Sequence, residues 1–271
     1  MDSTEPIRGA WRNHFERHCC FVKTYKETTV NHSDKKLLQD KVAVITGAGG
    51  GIGRAIALAY ANAGAAVVCS ARREADIGET VAQIEAAGGR AMAQVADVVD
   101  YPAVARLFER TSERFGGVDI VVASAGVALE RLPIADSDPV TWRKTIDINL
   151  TGAYHTAHAA IPYFRKRGGG KIIMLGSGQR KRPLAGVSSY ACSKSGLWML
   201  VESLGLELQG ENISVNELIP GPVRTNMTRS GIMSTGEWIK EPEDVTPMAL
   251  FLAGFPDDGP SAQSFSLMRR A

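Results

Sequence analysis

The chain has 271 residues, of which 44% are hydrophobic and 22% charged, with a formal net charge of +2. That near-neutral balance gives no reason to expect a nucleic-acid or anionic-membrane partner, and no apolar run is long enough to cross a bilayer. Four cysteines, Cys19, Cys20, Cys69 and Cys192, are too few and too irregularly placed for a disulfide framework and fit a reducing, cytoplasmic setting.

Residues 1–37 mix both charges and lack the apolar stretch of a secretory signal, so they are expected to form a poorly ordered extension. Trp11, Phe15 and Phe21 are the residues there that would dock if any do, and His14, His18, Cys19 and Cys20 match no zinc spacing. From Leu38 onward two periods alternate. Short apolar or β-branched runs fall at 42–46, 65–70, 91–96, 118–124, 171–176 and 213–219, with a last strand at 263–267. Stretches of helical spacing lie between them, at 54–62, 74–87, 102–115, 139–167 and 187–209. Strand and helix repeated without a break predict an α/β fold: one Rossmann-like, doubly wound domain over 38–271. Its mostly parallel seven-stranded sheet is covered by helices on both faces, because near-continuous apolar strands are buried on both sides. Asp138-Pro139 reads as a helix cap followed by proline at the first turn.

The first strand runs into TGAGGGIG, residues 46–53, and then into an alanine-rich helix. A turn this tight needs positive φ, and a pyrophosphate needs backbone N–H groups with no Cβ in the way. The helix behind it points the positive end of its dipole at the phosphates. Gly47, Gly51 and Gly53 would frame a dinucleotide cradle, with Ile52 packed beneath. The second strand ends in Ala71, where a site for NAD would place an acid on the ribose, and Arg72-Arg73 follow. A guanidinium suits a 2′-phosphate, so NADP is favoured over NAD, although Glu74 is close enough to offset part of that charge.

The second constellation spans Ser177 to Lys194. Tyr190 and Lys194 are four apart in a helical segment and project from one face. A phenol ionises near pH 10, and a neighbouring ammonium favours the phenolate. Ser177, at the end of the preceding strand, would present a hydroxyl to a substrate carbonyl, and Gln179 two residues on reaches toward the same pocket. A tyrosine and lysine at this spacing are common in helices; their conjunction with the glycine cradle, both at carboxyl ends of parallel strands, is what points to a site.

On these residues the chain from about Leu38 to Leu267 resembles the short-chain dehydrogenase/reductase family. TGAGGGIG fits the family's cofactor motif, Asp97-Val98 its adenine-side pair, and Ser124-Ala125-Gly126 the turn after the fourth strand, where an asparagine pair is more usual. Asn149, Ser177 and YACSK at 190–194 fit the catalytic set, and Pro220, Gly221, Val223 and Thr225 the nicotinamide-side loop. The resemblance implies a ketone or secondary-alcohol substrate, with Tyr190 exchanging the substrate proton. It implies that Lys194 lowers the phenol's pKa and binds the nicotinamide ribose, that Ser177 orients the carbonyl, and that Asn149 holds a water linking Lys194 to solvent. A homodimer or homotetramer is implied as well, with His155 and His158 as interface or core residues rather than metal ligands.

The segment after Thr225 should form a substrate lid, with Met227, Ile232, Met233, Trp238 and Ile239 as apolar lining. Arg180-Lys181-Arg182 is either a solvated loop or an attractor for an anionic substrate, which would suit a ketoacyl-thioester reductase. A non-catalytic nucleotide sensor is the alternative of another class; such a protein needs the cradle but not the phenol.

Overall fold

A computed structural model of the chain describes residues 36–229 and 239–268, all within the compact unit Lys36–Ala271. Trp11, Phe15, Phe21, the His14–Cys20 group and the lid residues Ile232, Met233 and Trp238 lie outside the described residues.

Alternation along β1 (Val42–Thr46) decides which face each side chain serves. Ala43 and Ile45 join one core, with Ile56, Tyr60 and Leu252, while Val44 joins the other, with Val121, Phe108 and Phe164. Both cores need cover, and the helices supply it: α1 (Gly51–Asn62), α2 (Glu74–Ala86) and α8 (Thr246–Gly254) on one face, α3 (Tyr101–Phe115), α5 (Gly152–Arg167) and α6 (Ser188–Glu207) on the other. The strands β2 (Ala66–Ala71), β3 (Arg90–Val95), β4 (Ile120–Ala123), β5 (Gly170–Leu175), β6 (Ile213–Ile219) and β7 (Gln263–Ser266) complete the sheet. Its order is β3-β2-β1-β4-β5-β6-β7 and every pairing is parallel. The chain reverses its direction of travel between β1 and β4, so a crevice opens at their carboxyl ends.

Three helix starts follow their sequence signals. Asp138 caps α4 (Pro139–Ile146), accepting from the Val140 and Thr141 N–H groups, and Asp100 caps α3, accepting from Ala103 N–H. The N-terminus of α1 has no side-chain cap and no acid in its first turn, which leaves its N–H groups facing the crevice. The continuous helix expected over 139–167 is instead interrupted. Between α4 and α5, Asp147–Thr151 forms a π turn, whose extra residue per turn brings Asn149 inward at 0% exposure. Helical spacing persists on both sides, so the interruption leaves no trace in the hydrophobic pattern.

Cys69 is buried in β2, and burial pushes its thiol up to about 12, opposed in part by Arg54. Among the described residues no helix is long and apolar enough to cross a membrane. Tyr60 ties α1 to α8: its buried hydroxyl donates to the Ala249 carbonyl at 2.8 Å. Tyr60→Phe leaves that carbonyl without its partner and is expected to cost about 1–2 kcal/mol, read as a lower urea midpoint with an unchanged m-value.

Candidate functional site

The crevice is a cleft of about 420 Å³ lined from the ends of β1, β2, β4 and β5 and from the loops that follow β3 and β6. Bare backbone forms its floor. Gly47 has φ of +70°, and a Cβ there would lie 2.8 Å from the Ala125 nitrogen, so the ends of β1 and β4 pack main chain on main chain. At Gly53 a Cβ would overlap the Gly47 carbonyl oxygen. Thr46 takes over part of the strand-tying that the asparagine pair would supply: its hydroxyl donates to the Val122 carbonyl at 3.5 Å and accepts from Ala125 N–H at 3.4 Å.

Gly47, Gly51, Ile52, Gly53, Arg72, Asp97, Val98, Ser124, Ala125 and Gly126 all line the cleft, as do Tyr190, Lys194, Pro220, Gly221, Val223 and Thr225. Asn149 does not. Its Oδ1 accepts from Val127 N–H at 2.7 Å, and its Nδ2 donates to the Val127 carbonyl at 2.8 Å and to Ser193 Oγ at 3.0 Å. These bonds brace the chain after β4 against α6. Leu175, Gly176 and Ile148 line the cleft without having been anticipated, because small or apolar residues at a strand end carry no chemical signal.

At the end of the cleft beside β2 and β3, Arg72 is 58% exposed, its guanidinium 4.0 Å from the Asp97 carboxylate, whereas Arg73 pairs with Asp76 and Arg54 donates to the Gly49 carbonyl and Glu79. Arg72 is the cleft-lining guanidinium held least tightly. His155 Nδ1 donates to the Val98 carbonyl at 2.9 Å, and His158 lies 2.8 Å from the Tyr101 hydroxyl, so the pair braces α5 against the start of α3 and the loop before it.

At the other end Tyr190 lines the cleft, half-buried, with Ser177 as its hydrogen-bond partner. Burial pushes the phenol above its usual range, and the Ser177 hydrogen bond opposes this without reversing it. The lowering expected from Lys194 does not prevail here: Nζ lies 5.8 Å from the phenol ring centre and donates to the Leu175 carbonyl at 2.6 Å. Burial pushes Lys194 down to about 8, with Glu217 pulling the other way. Ser177 begins a short 3₁₀ turn, Gly178–Arg180, and its Oγ accepts from Gln179 N–H at 3.2 Å. Gln179 does not line the cleft; its Oε1 is buried.

The basic run divides. Arg180 turns inward to Glu217 and Trp198, whereas Lys181, its ammonium 5.0 Å from the same indole, and Arg182 stay exposed.

Residues 41–233 match the family model for short chain dehydrogenases. The chain is 35% identical over 222 residues to the short chain dehydrogenase/reductase astE of Aspergillus oryzae, covering 81% of this chain and 84% of that one. It is similar to a solved putative short-chain alcohol dehydrogenase from Sinorhizobium meliloti, with a TM-score of 0.78 and 34% identity over 84% of this chain and 95% of that one. A putative NAD(P)-dependent gluconate 5-dehydrogenase from Beutenbergia cavernae, solved with bound NADP, gives a TM-score of 0.76 and 32% identity over the same shares of the two chains.

The glycine floor is open to a direct test. Gly53→Ala places a methyl group against the Gly47 carbonyl and is expected to destabilise the fold by about 1–3 kcal/mol. It should also weaken dinucleotide binding by about tenfold or more, a loss that fluorescence titration at a temperature where the variant stays folded would measure.

Proposed function

The chain belongs to the short-chain dehydrogenase/reductase family of oxidoreductases, and on that premise we propose that it interconverts a ketone and a secondary alcohol with NADP as hydride carrier. The observation that carries this reading is the Tyr190–Ser177 hydrogen bond, set beside Lys194 at one end of a cleft floored by bare glycine backbone. A dinucleotide fits that floor, since only glycine at 47 and 53 lets the main chain of β1, α1 and β4 close together beneath it, and the uncapped start of α1 offers the phosphates free N–H groups.

When bound, the nicotinamide gives or takes the hydride. The residues of the chain do the rest. Ser177 holds the substrate oxygen by a hydrogen bond, Tyr190 gives that oxygen a proton in reduction or removes it in oxidation, and Lys194 favours the anionic phenol through its charge. Near neutral pH the phenol of the free protein is protonated, the form that donates to a carbonyl oxygen in reduction. Asn149 serves this site from a distance by locking Val127 and Ser193.

The choice of NADP rests on Ala71 in the position of a ribose-binding acid and on Arg72, exposed and loosely held beside the cleft. An assembly of two or four copies is inferred from aromatic and apolar side chains left on the surface, Tyr154 of α5 and Phe251 of α8 among them. The thioester reading keeps only Lys181 and Arg182 as exposed cations, because Arg180 is already engaged inside the protein.

Tyr190→Phe is expected to lower turnover about a thousandfold while leaving NADPH affinity within a few-fold. Stopped-flow turnover and equilibrium titration on the same sample separate the two, and surviving turnover would refute the assignment. For Arg72→Ser, NADPH affinity should drop about tenfold and NADH affinity stay level, reversing the preference in a competitive titration.

A further inference from the structure

The strand β6 reads ISVNELI and is buried along its whole length, yet it carries a glutamate near its centre. Glu217 is 0% exposed, stands in register with Met174 of β5, and faces the side of the sheet that α6 covers. Ser264 of β7 donates to its Oε2 at 2.6 Å. Arg180 Nε lies 3.1 Å from the same oxygen, an ion-pair contact without the alignment of a hydrogen bond. Lys194 and Glu202 of α6 are the other charges that act on it, the first attracting and the second repelling. Its Oε1 has no hydrogen-bond partner among the described residues.

Arg180 is itself nearly enclosed, its side chain 7% exposed and its guanidinium 4.7 Å from the Trp198 ring centre, while Trp198 Nε1 donates to Glu202 Oε1 at 3.0 Å. Lys194, Trp198 and Glu202 are spaced by four, so one face of α6 presents an ammonium, an indole and a carboxylate in succession to the Glu217–Arg180 pair. An apolar residue at 217 would suit a buried strand better, because the desolvation of two buried charges is only returned when the geometry is good. The carboxylate also presses on the site itself. A Cβ at Gly176 would collide with Glu217 Oε1, and Gly176 joins Leu175, whose carbonyl accepts from Lys194, to Ser177.

We propose that Glu217 is a positioning residue for proton transfer: its buried carboxylate holds Lys194 in the ammonium form and, through Arg180, fixes the turn that carries Ser177. This rests on the role given above to Tyr190 and Lys194. Burial moves Lys194 from 10.5 down to about 8 and Glu217 works against that move, so without the carboxylate the ammonium is lost at a lower pH. Burial raises the Glu217 carboxyl itself, and Ser264, Arg180 and Lys194 each oppose the rise.

The test is Glu217→Gln, which keeps the shape and the acceptor for Ser264 but removes the charge. In the wild-type enzyme, carbonyl reduction should decline as pH rises through about 8, as Lys194 gives up its proton. In the variant the decline should begin about one pH unit lower. Nuclear magnetic resonance of lysines labelled at Cε, with Lys194→Met to identify the signal, follows the same proton in the cofactor-free protein. Glu217→Asp keeps the charge but withdraws it and should fall between the two, which keeps the proposal testable if the glutamine variant does not fold. A Lys194 midpoint unchanged in the variants overturns the proposal. Turnover surviving in Tyr190→Phe would instead overturn the mechanism on which it rests, and the lysine titration would still read the Glu217 field.

Discussion

The closeness of two glycines governs this molecule. Gly53 sits so near the Gly47 carbonyl that no side chain fits between them, and Gly47 in turn packs on the Ala125 main chain. Those contacts bring the start of α1 directly above the end of β1 and pin the end of β4 beside it. The crevice at the point of strand reversal, the free N–H groups aimed into it, and its distance from the end of β5 where Ser177 stands all follow from that junction. A larger residue at either position would lift the helix from the sheet and dissolve the floor of the cleft.

Against that rigid floor the far end of the cleft is an exercise in opposed electrostatics. Burial drives the phenol of Tyr190 and the ammonium of Lys194 in opposite directions, both toward the uncharged form. Each is then drawn part of the way back, the phenol by Ser177 and the ammonium by Glu217. In the free protein both groups are thus biased toward their neutral forms, the phenol's pKa moved away from neutral pH and the ammonium's toward it.

Much of this architecture is legible in the amino-acid order, and the reasons differ by element. The split of β1 between two cores follows from strict alternation, and the start of α4 from Asp138-Pro139, because each rule acts over a few neighbouring residues. The glycine floor is readable for the same reason. The π turn at Asp147–Thr151 is not, since an added residue in one turn shifts the helical phase too little to disturb an apolar stripe. Arg180 reads as part of a solvated basic run because the carboxylate that buries it belongs to a strand far along the chain. Glu217 is hidden for the converse reason: an acidic letter inside an apolar strand signals a partner without saying which. Asn149 reads as part of a continuous helix, and its hydrogen bonds to Val127 and Ser193 depend on a chain crossing that local pattern does not encode.

Trp198 lies within 4.7 Å of one cation and 5.0 Å of another, both on the turn that begins at Ser177. Positive charge against an indole face perturbs its excited state, so the ring is a built-in optical gauge of how firmly that turn is seated. Loosening the turn would change the colour and brightness of Trp198 without any label, giving a view of local order that does not depend on chemistry taking place.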